Sequence, residues 1–272
     1  MKDESFTIII PTHNSMSGNR DLKRTLDSIM KQTLTNWEII IVDDLSTDET
    51  KATASSYPAR FYSVKSSIAK ANNFGIEKAT GDYIIFLDSD QELPPQFLEE
   101  CQELIHKVDA QCIGYTQLFV DPTGRSTSSF NRLHNFERFM GAEPSGGIYC
   151  YSRKIIGEVR FPENLPVMED YHFRTKILSK GPRIGYVRSV VLHYRSQSGR
   201  WLIIRAWKYG RVVRGLWGNR TQSTMMLKDY FPLTNRNQNI RVHTDVGLLA
   251  PVSYLPFMVL KYLAFAFGFM TG

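Results

Sequence analysis

The opening portion of this 272-residue chain predicts an α/β fold, a nucleotide-binding sheet with helices on both faces. Two observations carry that expectation. Short β-rich apolar runs recur without polar alternation, as in strands covered on both faces of a parallel sheet. Stretches with helical spacing separate them, and strand–helix alternation favours an α/β architecture. A third observation concerns ligands: acids gather just after the runs, where open α/β sheets bind them. They are Asp43 and Asp44 after IIIV, and Asp88 and Asp90 after IIFL.

The elements follow in order. FTIIIP reads as a strand, and RDLKRTLDSIMKQT as a helix with Leu22, Leu26, Ile29 and Met30 at helical spacing. WEIIIVDD is the second strand and DETKATASSY a helix that Ser46, Thr47 or Asp48 can cap. RFYSVK, AKANNFGIEKAT and DYIIFLDSD then read as strand, helix and strand. Neither internal repeats nor a low-complexity linker interrupts them.

Composition bounds the rest. Hydrophobic residues make up 42% and charged residues 22%, which excludes a disordered chain. Three cysteines, Cys101, Cys112 and Cys150, form no CxxC pair and no even framework, so a reducing, cytoplasmic compartment is expected. The start MKDESFTIII puts charges ahead of a very short apolar run and is not read as a secretory signal. The net charge is +6, which suits acidic partners. Seven bases and no acid lie between Arg195 and Arg220, leaving the remainder near neutral, and after Val246 only Lys261 is charged.

Asp88-Ser89-Asp90 is the strongest chemical signal. In extended backbone, carboxylates two apart point the same way with Cα atoms roughly 6.5–7 Å apart. They repel unless a cation lies between them, and hard oxygen ligands suit Mg²⁺ or Mn²⁺. A solvated turn is the bland alternative. Asp43 and Asp44 end a hydrophobic strand, where acids can accept from a base or ribose; capping of the next helix is the other use of this stretch. Pro11-Thr12-His13-Asn14, taken alone, reads as a turn opening a helix.

Together, IIIPTHN, WEIIIVDDLSTDET and ANNxGIxxAxGDYIIFLDSD resemble the inverting family 2 glycosyltransferases of the GT-A fold. The resemblance runs from residue 6 to about 195 through Ser145-Gly146-Gly147, Glu169-Asp170-Tyr171 and His193. It implies a Rossmann-like GT-A catalytic domain over residues 1–198, followed by amphipathic and apolar helices over 199–272. It places Pro11, Thr12, His13, Asn14, Asp43, Asp44, Lys70, Asn73, Asp88 and Ser89 in the nucleotide pocket. Asp88, Asp90 and His193 match the site of a divalent metal, Mn²⁺ or Mg²⁺, although a strand-end histidine also reads as plain structure. Asp170, beside Glu169, matches the general base, and Gly146 and Gly147 a small-residue turn beside the acceptor.

The chain departs from the family pattern where Ala-Arg-Asn reads Ala71-Asn72-Asn73. Lys70 is the nearby candidate for the missing positive charge. The implied reaction is a single displacement with inversion: charge on a departing diphosphate is stabilised by the metal, and a carboxylate takes the acceptor's proton.

Arg200–Arg220 plots as a basic amphipathic helix, which suits an anionic membrane surface or packing on the catalytic body. Pro251 and Pro256 should break or kink the tail, and Lys261 opposes a clean span, so helices lying in the interface are expected; the tail's other reading is a cover for the core or an oligomer contact. Gln197-Ser198-Gly199-Arg200-Trp201 matches the QxxRW string of processive synthases, so Gln197, Arg200 and Trp201 are acceptor-side candidates. The expected activity is transfer from a nucleotide-diphosphate sugar, UDP favoured over GDP, to a lipid-linked or saccharide acceptor at the inner membrane face. No nucleic-acid partner is expected. A processive synthase-like enzyme and an inactive GT-A binding module are the rival readings.

Overall fold

The computed structural model describes residues 3–17, 20–123, 148–195, 199–215 and 255–271. The chain divides into two compact units: residues 1–118, 147–164 and 169–195 form the first, and 119–146, 165–168 and 196–272 the second.

An eight-stranded sheet organises the first unit. β1 (Phe6–Thr12), β2 (Trp37–Asp43), β3 (Ala59–Ser63) and β4 (Tyr83–Phe86) pair in parallel in the order β3-β2-β1-β4. Phe6 lies opposite both Trp37 and Tyr83, so the three apolar runs are in step and their polar continuations emerge along one edge. β5 (Gln91–Glu92), β6 (Cys112–Val120), β7 (Ile148–Ser152) and β8 (Ile184–Tyr194) extend the sheet from β4 in the order β7-β6-β8-β5. β4–β7, β6–β7 and β5–β8 are antiparallel, so the expected parallel sheet is corrected to a mixed one. β8 shows the reason: its largely alternating burial is the mark of a strand with one covered face, unlike the wholly buried runs of β1 and β2.

Two apolar layers explain why the parallel strands lack alternation. Ile8, Ile10, Ile39, Ile41 and Ile85 pack with α1 (Leu22–Met30) and α4 (Phe97–Val108). Ile9, Ile40, Val42, Ile84 and Phe86 pack on the opposite side with α3 (Ile68–Lys78) and α6 (Glu169–Leu178). Between these run α2 (Thr50–Ala54) and α5 (Arg153–Ile156). α3 approaches β1 so closely that a Cβ on Gly75 would stand 2.5 Å from Ile9 Cγ2. In α1, Leu22, Leu26 and Ile29 are buried as their spacing predicts, but Met30, in the last turn, is exposed. α2 is shorter than expected: Asp48 accepts the backbone N–H and hydroxyl of Thr50, and Ser55, Ser56 and Tyr57 turn the chain toward β3. The three cysteines are buried free thiols.

In the second unit, α7 (Gly199–Gly215) packs on α8 (Leu255–Thr271). The contact is backbone on backbone: a Cβ on Gly210 would lie 2.0 Å from Phe265 O, and one on Gly268 2.0 Å from Trp207 O. Pro256 neither breaks nor kinks this helix as expected, because it stands in the first turn, where a missing N–H is tolerated. Pro251 lies outside the described residues.

Candidate active site

The carboxyl ends of β1, β2 and β4 bring three loops together. Asp43 is buried at the end of β2, and its carboxylate accepts from the Thr12 hydroxyl at 2.8 Å and from the backbone N–H and hydroxyl of Ser46. It thereby ties the β1 loop to the β2 loop. Asn14 and Leu45 both adopt left-handed backbone, with φ of 48° and 51°, a region where asparagine is favoured and leucine is strained. Asn14 donates its N–H to Ser46 Oγ and accepts the Thr47 N–H on its Oδ1, so the two bends hold one another. Pro11 continues β1 opposite Val42.

Asp44 sits above this clamp with its carboxylate at the surface. It accepts the Ser66 N–H at 2.9 Å and lies 3.2 Å from Lys65 Nζ. Its backbone carbonyl is 2.8 Å from His13 Nδ1. The Ser66 hydrogen bond, then Lys65 and His13, hold the Asp44 carboxyl below its ordinary value against a smaller opposing effect of burial.

Asp88, Asp90 and His193 form the second centre, with one ligating atom of each within 4.8 Å of the others. His193 Nε2 lies 3.0 Å from Asp90 Oδ1 and 3.8 Å from Asp88 Oδ2. The strand pair places them: Gln91 of β5 lies opposite His193 of β8, and Asp90 O accepts the Tyr194 N–H. Asp90 and His193 are almost wholly buried, whereas Asp88 leaves 53% of its side chain open. Partial loss of hydration, reinforced by the charge of Asp90, raises the Asp88 carboxyl from its ordinary value. Burial pushes Asp90 up as well, but the His193 ring, with Arg195 and Arg20, outweighs it and leaves Asp90 low.

Two carboxylates and an imidazole gathered this closely are a donor set that fits a divalent cation such as Mn²⁺ or Mg²⁺. The open side of Asp88 leaves room for water or a phosphate oxygen. Ser89 is held by Ser15 through hydroxyls 2.8 Å apart.

Sequence reading missed three residues here. Gln91, fully buried, accepts the Asp88 N–H and points its amide at Asp88 Oδ2 and His193 Nδ1, both at 3.4 Å. Arg20 donates to His13 O at 2.6 Å. Arg195 follows His193 by two residues and acts electrostatically on both acids. Gln91 lies one residue beyond DSD, but no residue type signals a supporting amide.

Glu169 and Asp170 occupy the first turn of α6, where the helix dipole favours acids; Asp170 is exposed, and its charge reaches Asp88. Lys70 is exposed in the first turn of α3. Asn73 is engaged elsewhere: its amide accepts the Phe161 N–H and donates to Phe161 O and Glu163, joining α3 to the chain before α6. Arg200 and Trp201 stand at the start of α7, with Arg200 exposed. Gly146, Gly147 and Gln197 lie outside the described residues.

Residues 7–157 match the model of the family described as glycosyl transferase family 2. Amylovoran biosynthesis glycosyltransferase AmsB of Erwinia amylovora is 35% identical over 192 residues, 63% of this chain and 63% of that protein. Chondroitin synthase of Escherichia coli is 28% identical over 252 residues, 85% of this chain but only 35% of that protein. The chain thus spans less than two thirds of either relative's length. Two solved structures share its fold at 18% identity. Staphylococcus aureus TarS residues 1–349 align with a TM-score of 0.62 over 96% of this chain and 80% of that one. Mannosyltransferase PcManGT from Pyrobaculum calidifontis, in complex with GDP-Man and Mn²⁺, aligns with a TM-score of 0.60 over 100% and 76%. The fold is GT-A, as the ordered sequence strings imply.

Proposed function

Because the chain belongs to glycosyl transferase family 2, we propose that it moves a sugar from a nucleotide-diphosphate donor to an acceptor hydroxyl or phosphate, with inversion. The observation that carries this reading is the Asp88–Asp90–His193 cluster, at the same edge of the sheet as Asp44. Asp44, with His13 at its side, receives N–H or O–H donors of the nucleoside, while Asp43 holds the loop that presents it. UDP is the favoured nucleotide. Asp88, Asp90 and His193 would hold a divalent cation, which when bound would supply positive charge to a leaving diphosphate. Asp170 removes the proton of the attacking acceptor, since a hydroxyl is a weak nucleophile until its proton is taken.

The acceptor in this reading is lipid-linked, and the second unit lies on the anionic cytoplasmic face of a membrane. α8 supports this with Val259, Leu260, Leu263, Phe267 and Met270 exposed within one arc. α7, packed against it, exposes Arg200, Lys208, Arg211 and Arg214, the charge that anionic headgroups attract. Among the described residues no helix is long and apolar enough to cross a membrane. The test is transfer from UDP- and GDP-sugars to a polyprenyl-phosphate acceptor in liposomes, with the product's anomeric configuration read by NMR. Inverted product supports the proposal, and retained configuration contradicts it.

A further inference from the structure

α3 carries no arginine between Ile68 and Lys78. Asn72 supplies no charge there: its side chain is buried, and its Oδ1 finds no hydrogen-bond partner among the described residues. Charge balance then asks where a cation would come from. Asp88 and Asp90 cancel the charge of a divalent cation, which leaves a donor diphosphate uncompensated unless the chain supplies cations of its own.

Arg20 has the placement for this. It stands just ahead of the α1 cap Asp21, on the loop that leaves β1, and donates one N–H to His13 O. His13 in turn touches Asp44, on the nucleoside side. Two residues beyond Arg20 the Leu22 N–H is donated to Ser15 O, and the Ser15 hydroxyl lies 2.8 Å from that of Ser89, between Asp88 and Asp90 on the cation side. Among the described residues no carboxylate lies within 4.0 Å of its guanidinium. Among the described residues only one of its five N–H donors is engaged, and a guanidinium at a mouth lined by acids is suited to phosphate oxygens, which it grips through paired hydrogen bonds.

We propose that Arg20 holds the diphosphate of the nucleotide donor. This rests on the donor-site reading above and names the residue that reads the second phosphate. Two cations compete with it: Lys70, exposed on the first turn of α3, and Arg195, two residues after His193.

The experiment is calorimetric titration of UDP and UMP, with Mn²⁺ present, into the full chain and its R20Q, R20K, K70Q and R195Q variants. R20Q should weaken UDP roughly 10- to 100-fold, the effect of losing a hydrogen bond between charged groups, and leave UMP within about twofold. R20K should recover part of the UDP affinity. Equal losses for UDP and UMP would mean that Arg20 only shapes the loop and would overturn the inference. So would unchanged UDP binding in R20Q, or a selective UDP loss confined to K70Q or to R195Q. If the unsubstituted chain binds neither UDP nor GDP with Mn²⁺, the donor-site reading itself falls, and this inference with it.

Discussion

His193, at the end of β8, brings its Nε2 to 3.0 Å from Oδ1 of Asp90, in the loop after β4. The antiparallel pair β5–β8 makes this contact, because it sets Gln91 opposite His193 and fixes the register of both loops. Gln91 then reaches both flanking partners from beneath. Such supporting groups typically contribute 10- to 100-fold to metal affinity. Gln91→Leu should therefore weaken Mn²⁺ binding by about that range, as followed by the free-ion EPR signal. Unaltered Mn²⁺ affinity would remove Gln91 from the site.

Asp170 is assigned the proton of the acceptor and no part in donor binding. Asp170→Asn should lower kcat by about 10²- to 10⁴-fold, while the affinity for UDP with Mn²⁺ stays unchanged. A fall in UDP affinity matching the fall in rate would place Asp170 in the donor site instead.

The clamp at Asp43 has a thermodynamic signature. Asp43→Ala would leave the Thr12 hydroxyl and the Ser46 N–H without their acceptor. Each buried polar group stranded in this way costs about 1–3 kcal/mol. The urea midpoint should fall at constant slope, and UDP affinity should fall with it as the β1 and β2 loops separate.

Glu38 gives the fold a pH dependence. Burial pushes its carboxyl up, but hydrogen bonds from Thr7 and from the N–H and hydroxyl of Thr80, with Arg60 at 2.6 Å, leave it lowered overall. A carboxylate lowered by folding stabilises fully above its unfolded value, about 4.3, and loses that contribution as pH falls through its folded value. The stability advantage of the unsubstituted chain over Glu38→Gln should therefore shrink between about pH 5 and pH 3. An advantage constant across that window would show that Glu38 stays ionised no more readily folded than unfolded.

Gly210 and Gly268 permit the backbone contact between α7 and α8. Gly210→Ala must push the helices apart, and overpacking of this kind costs about 1–3 kcal/mol. Limited proteolysis should then cut the second unit faster while the first unit keeps its resistance. Equal resistance of both units would contradict the contact.

The sequence made β1, β2, β4 and the helices between them legible, because runs such as Ile8–Ile10 and Ile39–Val42 are buried on both faces and ended by acids. Asp88 and Asp90 stand out as a pair by their spacing after a buried run. That spacing predicts extended backbone, whereas β4 ends at Phe86 and the chain turns there, with the Gln91 N–H on Asp88 O. The family resemblance supplied the histidine. The antiparallel half was not legible. β6, β7 and β8 are paired across long sequence separations, and only β8 carries an alternating burial pattern. Nor was the engagement of Asn73, whose partner Phe161 is set by tertiary packing. Arg20 and Gln91 escaped for the same reason, since each acts through a neighbour that only the fold provides.

Calorimetric binding of UDP and of GDP, each with and without Mn²⁺, to the full chain and to Asp90→Ala tests whether the protein holds a nucleotide diphosphate through a divalent cation. Micromolar binding of one nucleotide that requires both Mn²⁺ and Asp90 is the predicted result. Binding that is weak for both and indifferent to the metal and to Asp90 would contradict it.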